Sequence, residues 1–463
     1  MKIAVAILFA VVSVTISPPA RADVPSEART LLKQLIELDT TNPPGNEELA
    51  ANAMAKVLKD AGLDPVVVPF APGRSNVVAR LHGDGSQKPI LLLAHLDVVG
   101  AAGQPWTVPP FKLTEKDGFL YGRGVIDDKG WVAIATAVFL DLARTHTKLK
   151  RDVILALTGD EESNGDGVRY LLDHRPELIA DAEFAFNEGA SPHLDAHGRV
   201  HSLLIHPAEK TYQNFELVAR GVGGHSSMPN DENAIYRLAD VLSHMQSRRF
   251  PAHLSPAIRG TLLSNVANAN EPLKSALIKT AALPGDQIPE DLLAILDQSI
   301  AIRTATRTTC VATMISGGTR VNALPIEAHA NINCRLLPSD TPKFVMEHLV
   351  GEIPYAVEIH MLKDVGSGPE VPLADVVRDA LAESARAVFG PDVKVFSTLF
   401  GATTDSRFLR QRGMLAYNFG LLPNSESDAK RPHGIDERIP VGALKSGSAL
   451  LQGLIRRLAS AER

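Results

Sequence analysis

Short, continuous apolar runs separated by helical segments constrain the fold of this chain more than any other feature of its sequence. The run Pro89–Ala94 contains no polar side chain. Val153–Leu157 is similar, and Ala182–Phe186 is apolar apart from Glu183. Strands that are buried on both faces of a sheet have this composition. Apolar residues at helical spacing lie between such runs, as in Lys129–Thr145. This alternation predicts an α/β architecture with a mixed, mainly parallel sheet and helices on both of its faces.

The pattern changes after about residue 208, which indicates a second, smaller unit. Thr211–Arg220 alternates between apolar and polar residues like a half-exposed strand, and Thr308–Leu336 has the pattern of a hairpin that turns at Gly317–Gly318. We therefore predict one main α/β domain that is interrupted by an inserted α+β lid domain. The predicted boundaries are 23–208 and 367–463 for the main domain and 209–366 for the lid, with an extra helical insertion near 250–305.

The first 22 residues have the pattern of a secretory signal peptide. Lys2 precedes an apolar stretch, Ile3–Ile16, and Ala20–Ala22 forms a small-residue cleavage signature. The apolar stretch is shorter than the roughly 20 residues that span a bilayer, although an uncleaved anchor is an alternative. We expect cleavage after Ala22 and a mature protein that is secreted or periplasmic, with no membrane association.

The charge balance argues against nucleic acid as a partner. The chain has 47 basic and 53 acidic residues, which gives a formal net charge of −6. General nucleic-acid binding requires a positive surface. No nucleic-acid partner is therefore expected.

The two cysteines, Cys310 and Cys334, cannot form a disulfide framework for a chain of this length. Export would permit one disulfide between them. Because a cross-strand bridge needs a particular Cα separation and side-chain direction, we expect two buried free thiols instead.

Acidic and imidazole side chains follow the ends of several predicted strands. Ligands of an open α/β sheet bind at the carboxyl ends of its strands, so these side chains are expected to converge. Several carboxylates in one place repel one another unless cations neutralise them. Two divalent ions would do so, and nitrogen and oxygen ligands suit zinc, with cobalt or manganese as alternatives. The strand-end residues are His95, Asp97, Asp127, Asp128, Glu161, Glu162 and Glu188.

Each of these motifs has a purely structural explanation when it is taken alone. A His-x-Asp pair is often structural, the adjacent acids Glu161 and Glu162 can form a solvated turn, and Asp127–Lys129 can be a helix start. Four such strand-end sites in one chain favour a metal centre over these explanations.

The motifs, taken in order, resemble the M20 family of metallopeptidases over nearly all of the mature chain. This group contains glutamate carboxypeptidase, acetylornithine deacetylase and aminoacylase, and the resemblance implies a zinc-exopeptidase-like fold. The Gly-Gly-x-x-x-Asn-x-x-Pro spacing, the Thr-Thr-Asp-Ser-Arg loop and the 250–305 insertion favour the carboxypeptidase S and N-acyl-amino-acid hydrolase branch. The matching segments are 95–97, 122–130, 159–162, 187–189, 224–229, 317–325 and 431–434.

The resemblance implies two metal sites with one shared ligand. His95, Asp127 and Glu188 would bind one ion. Asp127, Glu162 and His433 would bind the other, so that Asp127 bridges the pair.

The family resemblance also implies roles for three residues that do not bind metal. Asp97 would orient the His95 ring by accepting its other N–H. Glu161 would be the general base that takes a proton from water and gives it to the leaving amine. His225, in the lid, would stabilise the tetrahedral oxyanion, in some relatives from a neighbouring subunit.

Two further residues match family positions that bind the carboxylate of the substrate. Asn322 and Arg335 lie in the lid, and a guanidinium can grip a carboxylate through two hydrogen bonds. Thr403 belongs to the loop 401–407 that would complete this pocket.

The expected function is a secreted two-metal hydrolase that cleaves an amide bond next to a free carboxylate. Its substrate would be a small peptide, cut at its C-terminal bond, or an N-acyl amino acid. A metallo-aminopeptidase or dipeptidase is an alternative, and a periplasmic solute-binding protein is an alternative from a different class. The lid also makes a homodimer possible.

Overall fold

The computed structural model describes residues 23–351, 357–364 and 366–461. The predicted signal peptide, residues 1–22, lies outside the described residues. The strands are β1 Val66–Ala71, β2 Arg74–Leu81, β3 Ile90–His95, β4 Thr114–Lys116, β5 Phe119–Tyr121, β6 Val153–Thr158, β7 Phe184–Asn187, β8 Ser202–Glu209, β9 Thr211–Arg220, β10 Gly224–His225, β11 Thr309–Gly317, β12 Ala323–Leu324, β13 Glu327–Leu336, β14 Val357–Met361, β15 Lys394–Phe400, β16 Leu415–Asn418 and β17 Arg438–Pro440. The helices are α1 Val24–Ile36, α2 Glu47–Asp60, α3 Lys129–Arg144, α4 Asp166–His174, α5 Ala234–Ser247, α6 Pro256–Ser264, α7 Leu273–Ala281, α8 Glu290–Leu296, α9 Ile300–Thr306, α10 Pro342–Val350, α11 Asp375–Phe389, α12 Ser406–Gln411 and α13 Ala443–Ala459.

The main sheet is mixed and mainly parallel, which confirms the predicted fold class. Its eight strands lie in the order β1-β2-β6-β3-β7-β16-β8-β15. The pairs β6–β3, β3–β7, β7–β16 and β8–β15 are parallel, and the remaining pairs are antiparallel. Strands β3 and β6 are buried at every residue because both of their faces are apolar and covered.

Helices cover both faces of this sheet, as predicted. Successive side chains of a strand point to opposite faces, and β3 follows this rule. Leu92 packs in a core with apolar residues of α1, α3, α11 and α13. Leu91 and Leu93 pack in a second core with residues of α4 and α12. Both faces of β3 are therefore shielded from water.

A separate four-stranded antiparallel sheet, called the lid below, lies within the segment 209–366 and has the order β11-β13-β9-β14. Helices α5 and α10 cover one face, where Phe215, Leu217 and Ile332 pack against Leu238 and Val345. Among the described strands, β11 has a neighbour on one side only, and its residues from Val311 to Gly317 are exposed. The lid therefore presents a free strand edge.

The helical segment near 250–305 contains α6 to α9, and α6 packs against the main sheet. Leu262 of α6 shares an apolar core with Leu399 of β15 and Ala208 of β8. The Leu399 amide also donates to Thr261 Oγ1 at 2.9 Å. These helices thus cover the β15 edge of the main sheet.

The expectation of free thiols was wrong, because Cys310 and Cys334 form a disulfide. The register of β11 and β13 puts the two residues directly opposite each other, with Cα atoms 4.0 Å apart. Directly opposed residues of an antiparallel pair have close Cβ atoms, which a disulfide requires. The sequence shows both strands but does not show their register.

In the described part of the chain, no helix has both the length and the apolar composition needed to cross a membrane.

Candidate metal centre

Three neighbouring parallel strands bring acidic and imidazole side chains to one edge of the main sheet. His95 is the last residue of β3, Glu188 directly follows β7, and Glu161 and Glu162 lie in the turn after β6. Because these strands run in the same direction, their carboxyl ends meet. Asp127 reaches the same place from the loop that precedes α3.

The five predicted metal ligands form two clusters that share Asp127. Asp127 Oδ1 lies 3.0 Å from His95 Nε2, and Glu188 Oε1 lies 3.6 Å from the same nitrogen. Asp127 Oδ2 lies 3.2 Å from His433 Nε2, and Glu162 Oε2 lies 3.0 Å from it. Within each cluster the ligand atoms are within 4.8 Å of one another. The two oxygens of Asp127 therefore face two different histidines, as a bridging ligand requires.

The electrostatics of the site fit bound cations. Burial, together with nearby carboxylates, raises the pKa of Glu161 and of Glu188 well above the usual value. Hydrogen bonds to Asp127 and Glu162 raise the pKa of His433 to about 10, so these carboxylates favour positive charge beside them. Glu162 Oε1 is buried and accepts no hydrogen bond from the described residues. Divalent ions would satisfy these oxygens, and the mixed nitrogen and oxygen donors suit zinc.

Asp97 holds the loop that carries Glu161 and Glu162. Its carboxylate accepts hydrogen bonds from the Glu161 amide at 3.2 Å and the Glu162 amide at 3.1 Å. Asn42 Nδ2 donates to the same carboxylate at 2.8 Å. His95 Nδ1 lies 3.0 Å from the backbone oxygen of Asp97 and 3.5 Å from its carboxylate. Asp97 thus contacts both the His95 ring and the turn after β6.

A buried ion pair between Arg123 and Glu437, which sequence reasoning did not identify, supports two of the ligands. The Glu437 carboxylate accepts from Arg123 Nη1 and the Gly124 amide, each at 2.9 Å. It also accepts from the amides of Ile126 at 2.7 Å and Asp127 at 3.1 Å. Arg123 Nη2 donates to the backbone oxygen of Gly434 at 2.7 Å, directly after His433. The pair therefore connects the Asp127 loop to the His433 loop.

Glu437→Gln is expected to weaken metal binding by about 10–100-fold, the usual effect of removing a hydrogen-bonding partner behind a ligand. The amide would turn a donor toward groups that need an acceptor. Competition with a chromophoric chelator measures the affinity. Glu426→Gln is the matched control, because Glu426 is exposed and pairs only with Lys430 in the described structure. Equal zinc affinity in the two variants would contradict the role of Glu437.

A cavity of about 610 Å³ opens beside the clusters. Glu161 lies at its wall, with Oε2 3.9 Å from His95 Nε2, and its carboxylate accepts no hydrogen bond from the described residues. A free carboxylate next to two metal sites can accept a proton from water. Apolar side chains line the same cavity, namely Ile126, Trp131, Phe400, Leu421 and Leu422.

Two arginines also line this cavity. Arg335, on β13 of the lid, lies 5.8 Å from the centre of the Tyr212 ring, and Arg407 lies 5.7 Å from it. The Arg407 residue is only 4% exposed, and its side chain forms no hydrogen bond or ion pair with another described residue. A buried charge without a partner is costly. The cavity is therefore suited to an anionic ligand, and the buried state of Arg407 is a feature that the sequence did not reveal.

Of the three remaining predicted residues, Thr403, His225 and Asn322, one lines this cavity and two do not. Thr403 lines it, but its hydroxyl donates to the backbone oxygen of Lys210 at 2.8 Å. His225 and Asn322 are exposed and do not line it. They lie together in the lid, where β10 pairs with β12 and the Ser226 amide donates to the backbone oxygen of Asn322 at 3.2 Å.

Comparisons with known proteins agree with the geometry of the site. The model of Peptidase family M20/M25/M40 matches residues 91–457. The N-fatty-acyl-amino acid synthase/hydrolase PM20D1 of Homo sapiens is 31% identical over 386 residues, which cover 81% of this chain and 74% of the relative. The probable carboxypeptidase S-like 2 of Dictyostelium discoideum is 30% identical over 369 residues, which cover 77% of this chain and 69% of the relative. The M20 family metallo-carboxypeptidase Sso-CP2 of Sulfolobus solfataricus has the same fold, with a TM-score of 0.68, 21% identity, and coverage of 93% of this chain and 98% of that one.

Proposed function

Because the chain belongs to the peptidase family M20/M25/M40, whose members hydrolyse peptide or N-acyl amino acid amide bonds, we propose that it is a zinc enzyme that cleaves an amide bond next to a free carboxylate. Family membership also removes the solute-binding alternative. The observation that carries the proposal is the position of Asp127, whose two oxygens face His95 and His433. A shared carboxylate of this kind is what two closely spaced metal ions require.

The chain's own residues account for the proton transfers. Divalent ions at such a site polarise a carbonyl and make water a stronger acid. Glu161 accepts a proton from the attacking water, whose oxygen forms a bond to the carbonyl carbon. The C–N bond then breaks, and Glu161 returns the proton to the leaving amine. Asp97 keeps the Glu161 turn in place through its two backbone hydrogen bonds.

Arg335 and Arg407 support recognition of a carboxylate. Both guanidinium groups line the cavity beside the metal clusters, and Arg407 Nε has no hydrogen-bond partner among the described residues. Arg335 belongs to the lid, whereas Arg407 belongs to the main domain. A substrate carboxylate between them would therefore contact both the lid and the main domain.

Arg335→Ala is expected to lower kcat/KM for an N-acyl amino acid by about 10–150-fold, because a hydrogen bond to a charged group contributes about 1.5–3 kcal/mol. The methyl ester of the same substrate supplies the control, since it lacks the charge that Arg335 binds. The wild-type enzyme should prefer the free acid strongly, and the variant should lose that preference. A preference that survives the substitution would contradict the assignment.

The apolar wall of the cavity favours an N-acyl amino acid over a peptide with a free amine. Ile126 and Phe400, which line the cavity and are only half-buried, offer a surface for an acyl chain. The human relative is described as acting on N-fatty-acyl amino acids. The test is a panel of N-acyl amino acids and free dipeptides offered to the zinc-loaded protein. Hydrolysis of the acylated substrates supports the proposal, whereas activity on free-amine substrates alone supports an aminopeptidase or dipeptidase.

A homodimer through the lid is part of the proposal. His225 and Asn322 are exposed and lie away from the cavity of their own chain, so a second copy would have to supply them. The exposed edge of β11 offers unpaired backbone groups and apolar side chains, including Met314, which is 71% exposed, and Ile315. Such an edge pairs readily with a second strand.

Export is proposed as well. The disulfide between Cys310 and Cys334 supports it, because disulfides persist in oxidising compartments and are rare in the cytosol. Cleavage after Ala22 would be tested by N-terminal sequencing of the protein that is recovered outside the cytoplasm.

A further inference from the structure

A second cavity, of about 940 Å³, lies between the lid and the inserted helices. Its walls come from the C-terminal part of α5, from α9, from the first residues of β11 and from the end of α10. It shares no lining residue with the cavity at the metal clusters. Its volume is within the range of about 300–1,000 Å³ that is typical of small-molecule sites.

All ionisable residues that line this lid cavity are basic. They are His244, Arg248, Arg249, Arg303, Arg307 and His348. Asp297 forms ion pairs with Arg249 and Arg307. The half-buried side chains of Arg248 and Arg303, in contrast, form no hydrogen bond or ion pair with another described residue. Within the described part of the chain, these two guanidinium groups therefore have no anion paired with them.

The rest of the lining is largely apolar. Leu242, Met245 and Phe250 form one part, and Leu349 and Ile300 extend it. Ile300 is 69% exposed, which is unusual for a large apolar side chain that lines a basic cavity. A purely ionic ligand such as phosphate would leave this apolar surface in contact with water. A ligand with both an anionic head and an apolar chain would cover it.

We propose that the lid cavity binds an amphipathic carboxylate, that is, an acyl chain that ends in a carboxylate. Arg248 and Arg303 bind the carboxylate, and Met245, Phe250 and Ile300 contact the chain. A free fatty acid and an N-acyl amino acid share this chemistry. The inference depends on the residues of the lid cavity and does not depend on the reaction at the metal clusters.

The probe is octanoate, titrated calorimetrically into the zinc-loaded mature protein. The double variant Arg248→Gln/Arg303→Gln is expected to lose one equivalent of bound octanoate relative to the wild-type protein. Ile300→Glu, an exposed position that tolerates substitution, is expected to lose the same equivalent.

Lys274→Gln/Lys279→Gln is the control, because it removes two positive charges from exposed positions of the same insertion outside the cavity. Acetate and octanol should each bind at least tenfold more weakly, because one lacks the chain and the other lacks the charge.

The cavity at the metal clusters can also take up octanoate, so the comparison of variants, rather than the total uptake, decides the outcome. Unchanged uptake in both cavity variants would overturn the proposal, as would an equal loss in the lysine control. A second titration with N-octanoylglycine distinguishes the two sources. It compares the zinc-loaded Glu161→Gln protein, which consumes the ligand only slowly, with the same protein carrying Arg248→Gln/Arg303→Gln, so that the difference reports on the lid cavity alone. Tighter binding of N-octanoylglycine would identify an acyl amino acid, and tighter binding of octanoate would identify a fatty acid.

Discussion

Glu161→Gln is expected to reduce turnover by about 10²–10⁴-fold, the contribution that general acid–base catalysis usually makes. The amide has nearly the same shape as the carboxylate, but it cannot take a proton from water. Glu161 accepts no hydrogen bond from the described residues, so the substitution leaves no donor without its acceptor. The loss should therefore appear in kcat and leave the fold intact.

Metal content separates this role from a role as a ligand. Glu161 does not belong to either of the clusters that can hold a metal ion, and Glu162 does. Zinc analysis should find the wild-type metal content in Glu161→Gln, whereas Glu162→Gln should lose metal. Nearly full activity of Glu161→Gln with full metal content would remove Glu161 from the role of base.

His225→Ala is expected to lower turnover by about 10²–10³-fold, since removal of one oxyanion donor costs about 2.7–4 kcal/mol in the transition state. The residue is exposed, and the polar contacts of its ring in the described structure lie within its own turn, where Nδ1 is 2.8 Å from Ser227 Oγ. The substitution should therefore leave metal content and thermal stability unchanged. Unchanged turnover would show that the lid histidine does not contact the reacting atoms.

Mixing two inactive variants tests whether His225 acts on the site of a partner copy. When His225→Ala and Glu161→Gln chains reassort, half of the dimers are mixed, and each of these has one intact site. Activity should then recover to about a quarter of the wild-type level in a symmetric dimer. Asp127→Asn mixed with Glu161→Gln is the control, because both substitutions affect the same cavity and no site becomes intact. If the first mixture recovers no activity, His225 acts on the site of its own chain or takes no part in the reaction.

The metal clusters could be predicted from the sequence because their ligands follow local patterns. His95 is the last residue of a buried apolar strand and Glu188 directly follows another, and parallel strands bring their carboxyl ends together. His433 was assigned through the family resemblance, and the structure brings it to Asp127 and Glu162. Helices on both sides of the sheet followed from the same apolar runs.

Contacts between distant segments could not be predicted in this way. Arg123 and Glu437 are separated by 314 positions, and only the folded chain brings them together. The disulfide depends on the register of β11 against β13, which a shift of one residue would change. The burial of Arg407 and the lid cavity likewise depend on packing between elements that the sequence does not place next to each other.

Zinc titration of the metal-free protein, followed by both metal uptake and hydrolysis of an N-acyl amino acid, tests the two-metal account most directly. The two clusters that share Asp127 predict uptake of two equivalents per chain, with full activity only after the second. Asp127→Asn should lower the affinity for both. Saturation of uptake and activity at one equivalent, or full activity without metal, would contradict the account.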